Sequence, residues 1–374
     1  MTRVNRVLVV GGGVGGMCTA IALSRTGVNV DLIDINPEWG ALGAGITITG
    51  PTLRALKQVG VYEQVAALAY VGEGIQVCSP DGMPIRRLPT PMPEEAGVHS
   101  SGGIMRPTLH KILAAEVAAL GTTVRTGLTV DALDQGADGV DVTFSDGTAD
   151  HYDFVAGAAG LNSKVRRLVF TDAPAPEYTG QMAWRVTVPR PAEVERRTYF
   201  LGGPHKVGVT PVSADEMYLF LLERSEKRFY EDADLHLKLD ALLEGYSGAI
   251  IDGVRANMTS DSYINVRPLE GFVMDPPWHK GRVLMIGDAV HPTTPQLASG
   301  AGIAVEDAIV LAEELARDCS VEQAMQAFTQ RREWRCKLVV SSSVKIGQLE
   351  QARAPAEEQT AVVEYALARL AEPV

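Results

Sequence analysis

The chain has 374 residues, of which 46% are hydrophobic, and it carries a formal net charge of −12 at pH 7. This length exceeds that of one ordinary domain and the apolar content is ample for two cores, so we expect two domains. The acidic balance disfavours a nucleic-acid-binding protein, because nucleic-acid phosphates require a basic surface.

Membrane, secreted and metal-binding proteins are also disfavoured. No window approaches the roughly eighteen apolar residues of a membrane span, and the first apolar run ends in glycines rather than in a signal-peptide cleavage site. We therefore expect a cytoplasmic protein that binds no membrane. The cysteines lack metal-ligand spacing and no H-E-x-x-H motif occurs, so we expect free thiols and no metal site. These cysteines are Cys18, Cys78, Cys319 and Cys336.

The first predicted element is a buried strand that runs into glycines. Residues 6–10 are a continuous apolar run, and residues 11–16 contain the motif G-x-G-x-x-G. An apolar helical pattern follows over 17–24, and a second predicted strand over 28–33 ends at Asp34. This order is typical of a dinucleotide-binding unit, in which glycines let the backbone approach a pyrophosphate at a helix N-terminus. Asp34 would then bind a ribose 2′-OH, which favours FAD or NAD over NADP.

Turn signals organise the next part of the chain. Residues 40–46 are rich in glycine, so their backbone can lie against a flat group, and a helix is predicted over 51–59. The turn Ser79–Gly82 predicts a hairpin over 75–88. The proline-rich run 89–93 predicts a loop.

A helix and a set of short strands follow. The helix is predicted over 108–120, and Arg106 immediately precedes it. An anion there could meet both a guanidinium and the free amides of the helix N-terminus. Apolar segments at 124–130, 140–144 and 154–159 are typical of strands.

From residue 178 to about residue 263, helical signals thin out and strand signals dominate. The strand-like segments are 181–188, 198–201, 206–210 and 217–222. We expect a second, largely antiparallel domain that is inserted between two parts of the first.

The chain then returns to the first domain. A buried strand is predicted over 282–286, and a glycine-rich turn at 298–302 begins a long helix. Further helices are predicted over 321–348 and 361–370.

Three blocks of sequence now occur in a specific order. They are the glycine motif with Asp34, the segment 153–166 (DFVAGAAGLNSKVR), and the segment 281–292 (GRVLMIGDAVHP) followed by Pro295, Ser299–Gly302 and Glu306–Ala308. Together they resemble the single-component FAD-dependent aromatic hydroxylases, the group A flavoprotein monooxygenases with the para-hydroxybenzoate hydroxylase fold. Salicylate, 6-hydroxynicotinate and 3-hydroxybenzoate hydroxylases are members. The segments Tyr178–Gln181 and Trp184–Arg185 also look like the start of the family's substrate domain.

The resemblance implies an α/β fold. Its Rossmann-like FAD-binding domain, of the GR2 (glutathione reductase) type, would carry an inserted, largely antiparallel β-sheet substrate domain and C-terminal helices. The FAD-binding domain would comprise residues 1–72, 104–175 and 276–374, the last part including the C-terminal helices. The substrate domain would comprise the hairpin 73–103 and residues 176–275.

The resemblance also implies a reaction. NAD(P)H would reduce non-covalently bound FAD, O2 would form a C4a-hydroperoxyflavin, and the distal oxygen would pass to a phenolic or N-heteroaromatic small molecule. The expected assembly is a monomer or homodimer. Two alternatives stay open: a flavin-dependent oxidase, dehydrogenase or reductase on the same scaffold, and a non-catalytic flavin-binding regulatory protein. A flavin halogenase is disfavoured, because residues 182–189 hold only Trp184 of the W-x-W-x-I-P pattern.

Specific residues would hold the cofactor. Asp288 would accept hydrogen bonds from the ribityl chain, Arg106 would pair with the pyrophosphate or ribityl region, and the amides of 299–302 would meet the N1–C2=O edge of the isoalloxazine. The full set of implied FAD contacts is Gly11, Gly13, Val14, Gly15, Gly16, Asp34, Ile35, Gly45, Arg106, Val130, Gly287, Asp288, Pro295, Gly300, Ala301 and Gly302. Ala159 stands where the family has Asp, which removes a hydrogen-bond acceptor and is expected to weaken the handling of the nicotinamide.

The last expectation concerns substrate activation. Electrophilic oxygen transfer requires the phenol to lose or share its proton, and a histidine suits that step at neutral pH. His205 lies at the turn into the predicted strand 206–210, so it is the candidate base, although a histidine in a Gly-Pro turn is often merely exposed. Tyr218 and Thr47 are candidates for hydrogen bonds to the same substrate.

Overall fold

The computed structural model describes residues 4–90, 92, 96–230 and 234–374. The predicted loop at 89–93 falls partly outside these ranges, because Pro91 and Pro93 are not among the described residues. The strands, in chain order, are β1 (Arg6–Val10), β2 (Asn29–Asp34), β3 (Gly45–Thr49), β4 (Tyr70–Gly72), β5 (Ile75–Cys78), β6 (Pro84–Leu88), β7 (Ser101–Met105), β8 (Thr123–Thr126), β9 (Val130–Gln135), β10 (Val140–Phe144), β11 (Ala149–Tyr152), β12 (Phe154–Gly157), β13 (Glu177–Pro189), β14 (Arg197–Phe200), β15 (Lys206–Pro211), β16 (Glu216–Arg224), β17 (Ile264–Gly271), β18 (His279–Lys280) and β19 (Val283–Met285). The helices are α1 (Val14–Arg25), α2 (Gly50–Val59), α3 (Tyr62–Leu68), α4 (Arg106–Ala119), α5 (Lys164–Val169), α6 (Leu235–Leu242), α7 (Ala249–Asn257), α8 (Gly300–Leu315), α9 (Val321–Gln351) and α10 (Ala356–Ala371).

A six-stranded sheet carries the nucleotide-binding unit. Its order is β18-β19-β12-β1-β2-β8, and every pairing is parallel except that of β18 with β19 at one edge. β1 lies inside this sheet, and Val7, Leu8 and Val9 are fully buried, which explains its unbroken apolar sequence. α1 begins so close to β1 that a Cβ atom at Gly16 would overlap the Gly11 carbonyl oxygen. The predicted strand, glycine turn, helix and strand are therefore confirmed.

A seven-stranded sheet forms the second layer. Its order is β17-β13-β16-β15-β14-β5-β6, and all of its pairings are antiparallel except β14 with β5. The predicted hairpin over 75–88 is confirmed as β5 and β6, and it joins strands from residues 177–271 in one sheet. The antiparallel character expected for this part of the chain is thus present.

The expectation of few helices between residues 178 and 263 was incomplete. α6 and α7 lie in this stretch, and their residues Leu239, Ile251 and Val254 pack in one hydrophobic cluster with the strand residues Val207 and Leu219. The alternating strands leave one apolar face that must be covered, and two short helices cover it. Helices of 8 and 9 residues give too weak a periodic signal to stand out among strands.

The remaining elements close the main core. The single strand predicted over 124–130 is in fact two, β8 and β9, because Gly127 at a φ of 71° turns the chain between them. The long helix α9 packs against α8 and α10. Within the described ranges, no helix combines the length and the apolar character needed to cross a bilayer. All four cysteines are free thiols.

Candidate active site

A cavity of about 550 Å³ lies between the carboxyl ends of the parallel strands and one face of the seven-stranded sheet. In parallel α/β sheets, ligands bind outside the carboxyl ends of the strands. The wall on the parallel-sheet side includes Gly13, Val14, Gly15, Ala158, Gly160, Leu161, Ile286, Gly287 and Asp288. The opposite wall includes Arg185, Tyr199, Lys206, Tyr218, Phe220, Leu222 and Arg267. One wall therefore offers backbone and a carboxylate, and the other offers aromatic rings and cations.

The glycine turn after β1 is held so that it presents its amides to the cavity. The Gly12 amide donates to Asp34 Oδ2 at 2.6 Å, and Trp39 Nε1 donates to the Gly12 carbonyl at 3.1 Å. Both ends of the Gly12 residue are thus fixed by side chains, and Gly13 to Gly15, at the start of α1, line the cavity. A phosphate at this helix N-terminus would meet free N–H groups and the positive end of the helix dipole.

Asp288 enters the cavity on a tight turn after β19. Gly287, at a φ of 58°, starts this turn, and the Asp288 side chain is open to the cavity. Burial raises the pKa of the Asp288 carboxyl, and the nearby His291 and Arg106 partly oppose this effect. Because the side chain is accessible from the cavity, a hydroxyl of a bound ligand could donate to this carboxylate, and such a hydrogen bond favours the charged form.

The N-terminus of α8 faces the same space. Gly300 and Ala301 line the cavity together with Pro295, and Arg106, the first residue of α4, lines it from another side. The first amides of a helix have no intrahelical acceptor, so they stabilise negative charge that develops next to them. This wall therefore offers helix N-termini and charged side chains of the kind that bind a flavin dinucleotide.

Six of the implied FAD contacts do not line the cavity, and their roles toward FAD stay predictions. Gly11 and Gly16 pack against each other, and a Cβ atom at Gly302 would overlap the Thr52 hydroxyl, so these glycines permit close packing. Val130 is fully buried in the main core, and Ile35 is exposed on the surface. Asp34 holds the glycine turn, and its role toward the ribose stays a prediction.

The cavity fits FAD as judged by its own residues. A helix N-terminus with free amides lies at one end, and Asp288, Arg106 and the start of α8 lie further along. A dinucleotide supplies a pyrophosphate, a polyol chain and an electron-accepting ring for these three kinds of group.

Two of the candidate catalytic side chains meet at the substrate wall. Thr47 Oγ1 lies 2.8 Å from the Tyr218 hydroxyl and 3.3 Å from Thr210 Oγ1. Thr47 belongs to β3, whereas Tyr218 and Thr210 are cross-strand neighbours on β16 and β15. Gly45 allows this contact, because a Cβ atom there would overlap the Tyr218 ring. Thr47 and Tyr218 both line the cavity.

His205 lies elsewhere. It is not a lining residue of the cavity, and Tyr246, which packs in the cluster behind the sheet, binds its backbone. Burial lowers the pKa of the His205 imidazole, although Glu223 opposes this shift. Its neighbour Lys206 lines the cavity instead, because successive residues of a strand point to opposite faces. The structure therefore does not bring the candidate base together with Tyr218 and Thr47.

Three cations that line the cavity were missed by the sequence reasoning, namely Arg185, Lys206 and Arg267. Arg185, on β13, is half-buried and has no hydrogen bond or ion pair to any described residue. Burial and Arg106 lower the pKa of Arg185 to about 10, and Tyr218 opposes this shift. Lys206 is paired with Glu350 of α9. The Trp184–Arg185 motif was visible in the sequence, but nothing local showed which way Arg185 points.

A buried charge network lies behind the turn that carries Asp288. Asp307 accepts from the Gly287 amide at 2.9 Å, from His291 Nε2 at 2.7 Å and from Arg332 Nε at 2.8 Å. Burial lowers the pKa of His291, but Cys336 and Asp307 outweigh it and hold that pKa well above its usual value.

His291, Asp307 and Cys336 have ligand atoms within 4.8 Å of one another, a grouping that the sequence reasoning did not foresee. The oxygens of Asp307 already accept from the cation Arg332 and from His291, so a metal ion there would face a guanidinium.

The C-terminal residues complete this network. Glu306 is bound by Arg332 at 2.7 Å and by Arg335 at 2.6 Å. Arg335 donates to the carbonyls of residues 370 and 372, and Arg54 donates to those of 370, 371 and 372. The support of the Asp288 turn thus extends through α8 and α9 to the last helix.

Comparison with known proteins agrees with this geometry. A family described as "FAD binding domain" matches residues 5–343. The aurachin C monooxygenase/isomerase of Stigmatella aurantiaca is 30% identical over 352 residues, which cover 92% of this chain and 89% of that protein. The 6-hydroxynicotinate 3-monooxygenase of Pseudomonas fluorescens is 28% identical over 347 residues, which cover 83% of each chain.

A solved structure has the same fold. It is that of Klebsiella pneumoniae HpxO complexed with FAD and uric acid, which is 22% identical. The alignment covers 99% of this chain and 93% of that chain, with a TM-score of 0.84.

Proposed function

This chain belongs to the FAD binding domain family and is an FAD-dependent monooxygenase of aromatic small molecules, and on that premise we propose that NAD(P)H supplies its electrons while Tyr218 and Thr47 orient the substrate. The observation that carries this proposal is the 2.8 Å contact between the Tyr218 and Thr47 hydroxyls inside an aromatic-lined cavity. Bound FAD supplies the electron transfer and oxygen activation.

The substrate ring lies, in this proposal, against the aromatic wall. Tyr199, Phe220 and Tyr218 line it, and ring centroids of neighbouring pairs are 5.8 and 6.1 Å apart. A substrate hydroxyl next to Tyr218 can donate its proton to the Tyr218 oxygen, whose own proton is then directed to Thr47. Such a hydrogen bond shifts electron density into the ring, which is what attack on an electrophilic oxygen requires.

Arg185 has a distinct role. Its guanidinium has no hydrogen bond or ion pair to any residue that the structure describes, so it is available to a substrate oxyanion. A charge-assisted hydrogen bond to a guanidinium is stronger than one between neutral groups. We assign to Arg185 the role of binding the substrate's anionic group. The aromatic rings of the wall exclude water from the substrate.

The test is product analysis with purified holoenzyme. NADH and NADPH are supplied in turn with a panel of phenols and hydroxylated N-heteroaromatic acids under 18O2. We expect one substrate to give a product with one labelled oxygen atom and to consume one equivalent of the nucleotide. Nucleotide oxidation that yields only hydrogen peroxide with every substrate would instead favour an oxidase or reductase.

A further inference from the structure

Two cations of the substrate wall are in opposite electrostatic states. Lys206 Nζ is paired with the Glu350 carboxylate and lies 5.3 Å from the centre of the Tyr199 ring. Most of each side chain in this pair is shielded from solvent, with exposures of 12% for Lys206 and 7% for Glu350. Arg185 has no such partner among the described residues. Arg267, the third cation of this wall, is exposed and donates only to the Val266 carbonyl, so Lys206 is the one of the three that a carboxylate neutralises among the described residues.

The compensation of Lys206 is built into the fold. Glu350 comes from the end of α9, and its Oε2 atom also accepts from Gln296 Nε2 at 3.4 Å. Gln296 donates in addition to Gln181 Oε1 at 2.9 Å. Glu350 is thus held on one side by Lys206 and on the other by Gln296.

The two cations lie at a distance that matters for an aromatic ligand. Arg185 stands opposite Phe220 on β16, and Lys206 stands opposite Leu222 on the same strand, two residues further on. With strands about 4.8 Å apart and about 3.3 Å per residue along them, the Cα atoms of the two cations are roughly 12 Å apart. Their long side chains can therefore reach opposite ends of one substituted ring.

We propose that Glu350 neutralises Lys206, so that a substrate anion binds at Arg185 and the end of the ring that faces Lys206 must be uncharged. The inference rests on the proposed function, because it takes this cavity as the substrate site. A second carboxylate on the ring would be buried beside the Lys206–Glu350 pair without a cation of its own and close to a like charge. A ligand that must bury a charge without an oppositely charged partner binds weakly, and this penalty makes the site specific.

The experiment compares two ligands that differ by one carboxylate. Holoenzyme is titrated with benzoate and with terephthalate, and binding is followed by the change in flavin absorbance. We expect the parental enzyme to bind benzoate more tightly. In Glu350→Gln, which keeps the shape and removes the charge, the Kd for terephthalate should fall by roughly tenfold or more because Lys206 is freed. The Kd for benzoate should change little.

Two controls isolate the charge. Glu333→Gln removes a carboxylate from the same helix, where it pairs with Lys337 at 2.7 Å near the surface, and it should leave both Kd values unchanged. Lys206→Met combined with Glu350→Gln removes both buried charges and should return terephthalate to its weak parental binding.

The outcomes separate this inference from the proposed function. An equal shift for both ligands in Glu350→Gln, a parental preference for terephthalate, or a flavin spectrum that neither ligand perturbs would each overturn the inference. Charge-selective binding without any oxygenated product from the panel would overturn the proposed function and leave the inference standing.

Discussion

Thr47 Oγ1 and the Tyr218 hydroxyl are 2.8 Å apart although 171 residues separate them in the chain. Their contact joins the small sheet β3-β7-β4 to the substrate wall, so Tyr218 is held by a residue that precedes the helix α2. A movement of the small sheet relative to the substrate wall would therefore change the position of the Tyr218 hydroxyl.

Replacement of Tyr218 by Phe tests the role of this pair. The ring remains and the hydroxyl is lost, so we expect hydroxylation to fall by roughly 10²-fold, the lower range for a group that assists proton transfer. Flavin reduction by NAD(P)H without substrate should stay near the parental rate, as measured by stopped-flow absorbance. Tyr365→Phe, at an exposed position, is the matched control and should alter neither rate.

Removal of the Asp288 carboxylate should weaken FAD binding. Asp288→Ala deletes a charged acceptor of hydrogen bonds worth about 1.5 to 3 kcal/mol, so the Kd for FAD should rise by about one to two orders of magnitude. The measurement is titration of the apoprotein with FAD. Asp275→Ala, whose side chain is 94% exposed, should bind FAD normally. Full flavin occupancy in Asp288→Ala would contradict the assignment.

His291 should make stability depend on pH. Its pKa is raised in the folded protein, so its contribution is complete below the unfolded value near about 6.5 and disappears as the pH rises through the folded pKa. His291→Gln can keep a hydrogen bond to Asp307 but cannot carry the proton. The Tm difference between the parent and this variant should therefore be larger near about pH 6 than near about pH 9.

His205→Ala tests whether His205, rather than the pair Tyr218 and Thr47, activates the substrate. Because His205 lies behind the sheet rather than in the cavity, we expect hydroxylation to stay within a few-fold of the parental rate. The measurement is the coupled rate of product formation across neutral and alkaline pH. A loss of roughly 10²–10⁴-fold, as for removal of a general base, would restore the assignment made from the sequence.

Ala159→Asp tests the departure from the family motif. Ala159 lies between the cavity residues Ala158 and Gly160, so a carboxylate there adds an acceptor near the flavin-binding turn. We expect a lower KM for NAD(P)H or faster flavin reduction, measured by stopped-flow mixing. Ala159→Asn has nearly the same size without the charge and serves as control. Unchanged reduction in the Asp variant would show that the missing carboxylate is irrelevant.

The parts of the site that could be predicted are those formed by residues that are adjacent in the sequence. The glycine turn at 11–16 and the turn at Asp288 each consist of neighbouring residues whose backbone geometry is determined locally. Thr47 and Tyr218 were placed near the ring because their segments border the predicted flavin and substrate regions.

The features that the sequence did not reveal depend on the alternation of side chains along strands and on contacts between distant chain segments. A shift of one residue moves a side chain to the other face of a sheet, and that shift separates His205 from Lys206. For the same reason, the sequence did not show on which face of the sheet the Arg185 side chain lies. Glu350 arrives on α9, and no local pattern could connect it with Lys206.

The buried charge network behind the Asp288 turn has a consequence for the order in which the site forms during biosynthesis. Arg332 donates to Asp307 and Arg335 donates to Glu306, and Arg335 also donates to the carbonyls of residues 370 and 372. During translation the glycine turn and its strands emerge first, whereas these acceptors emerge last. The complete support of the flavin turn therefore forms only after residue 372 has left the ribosome.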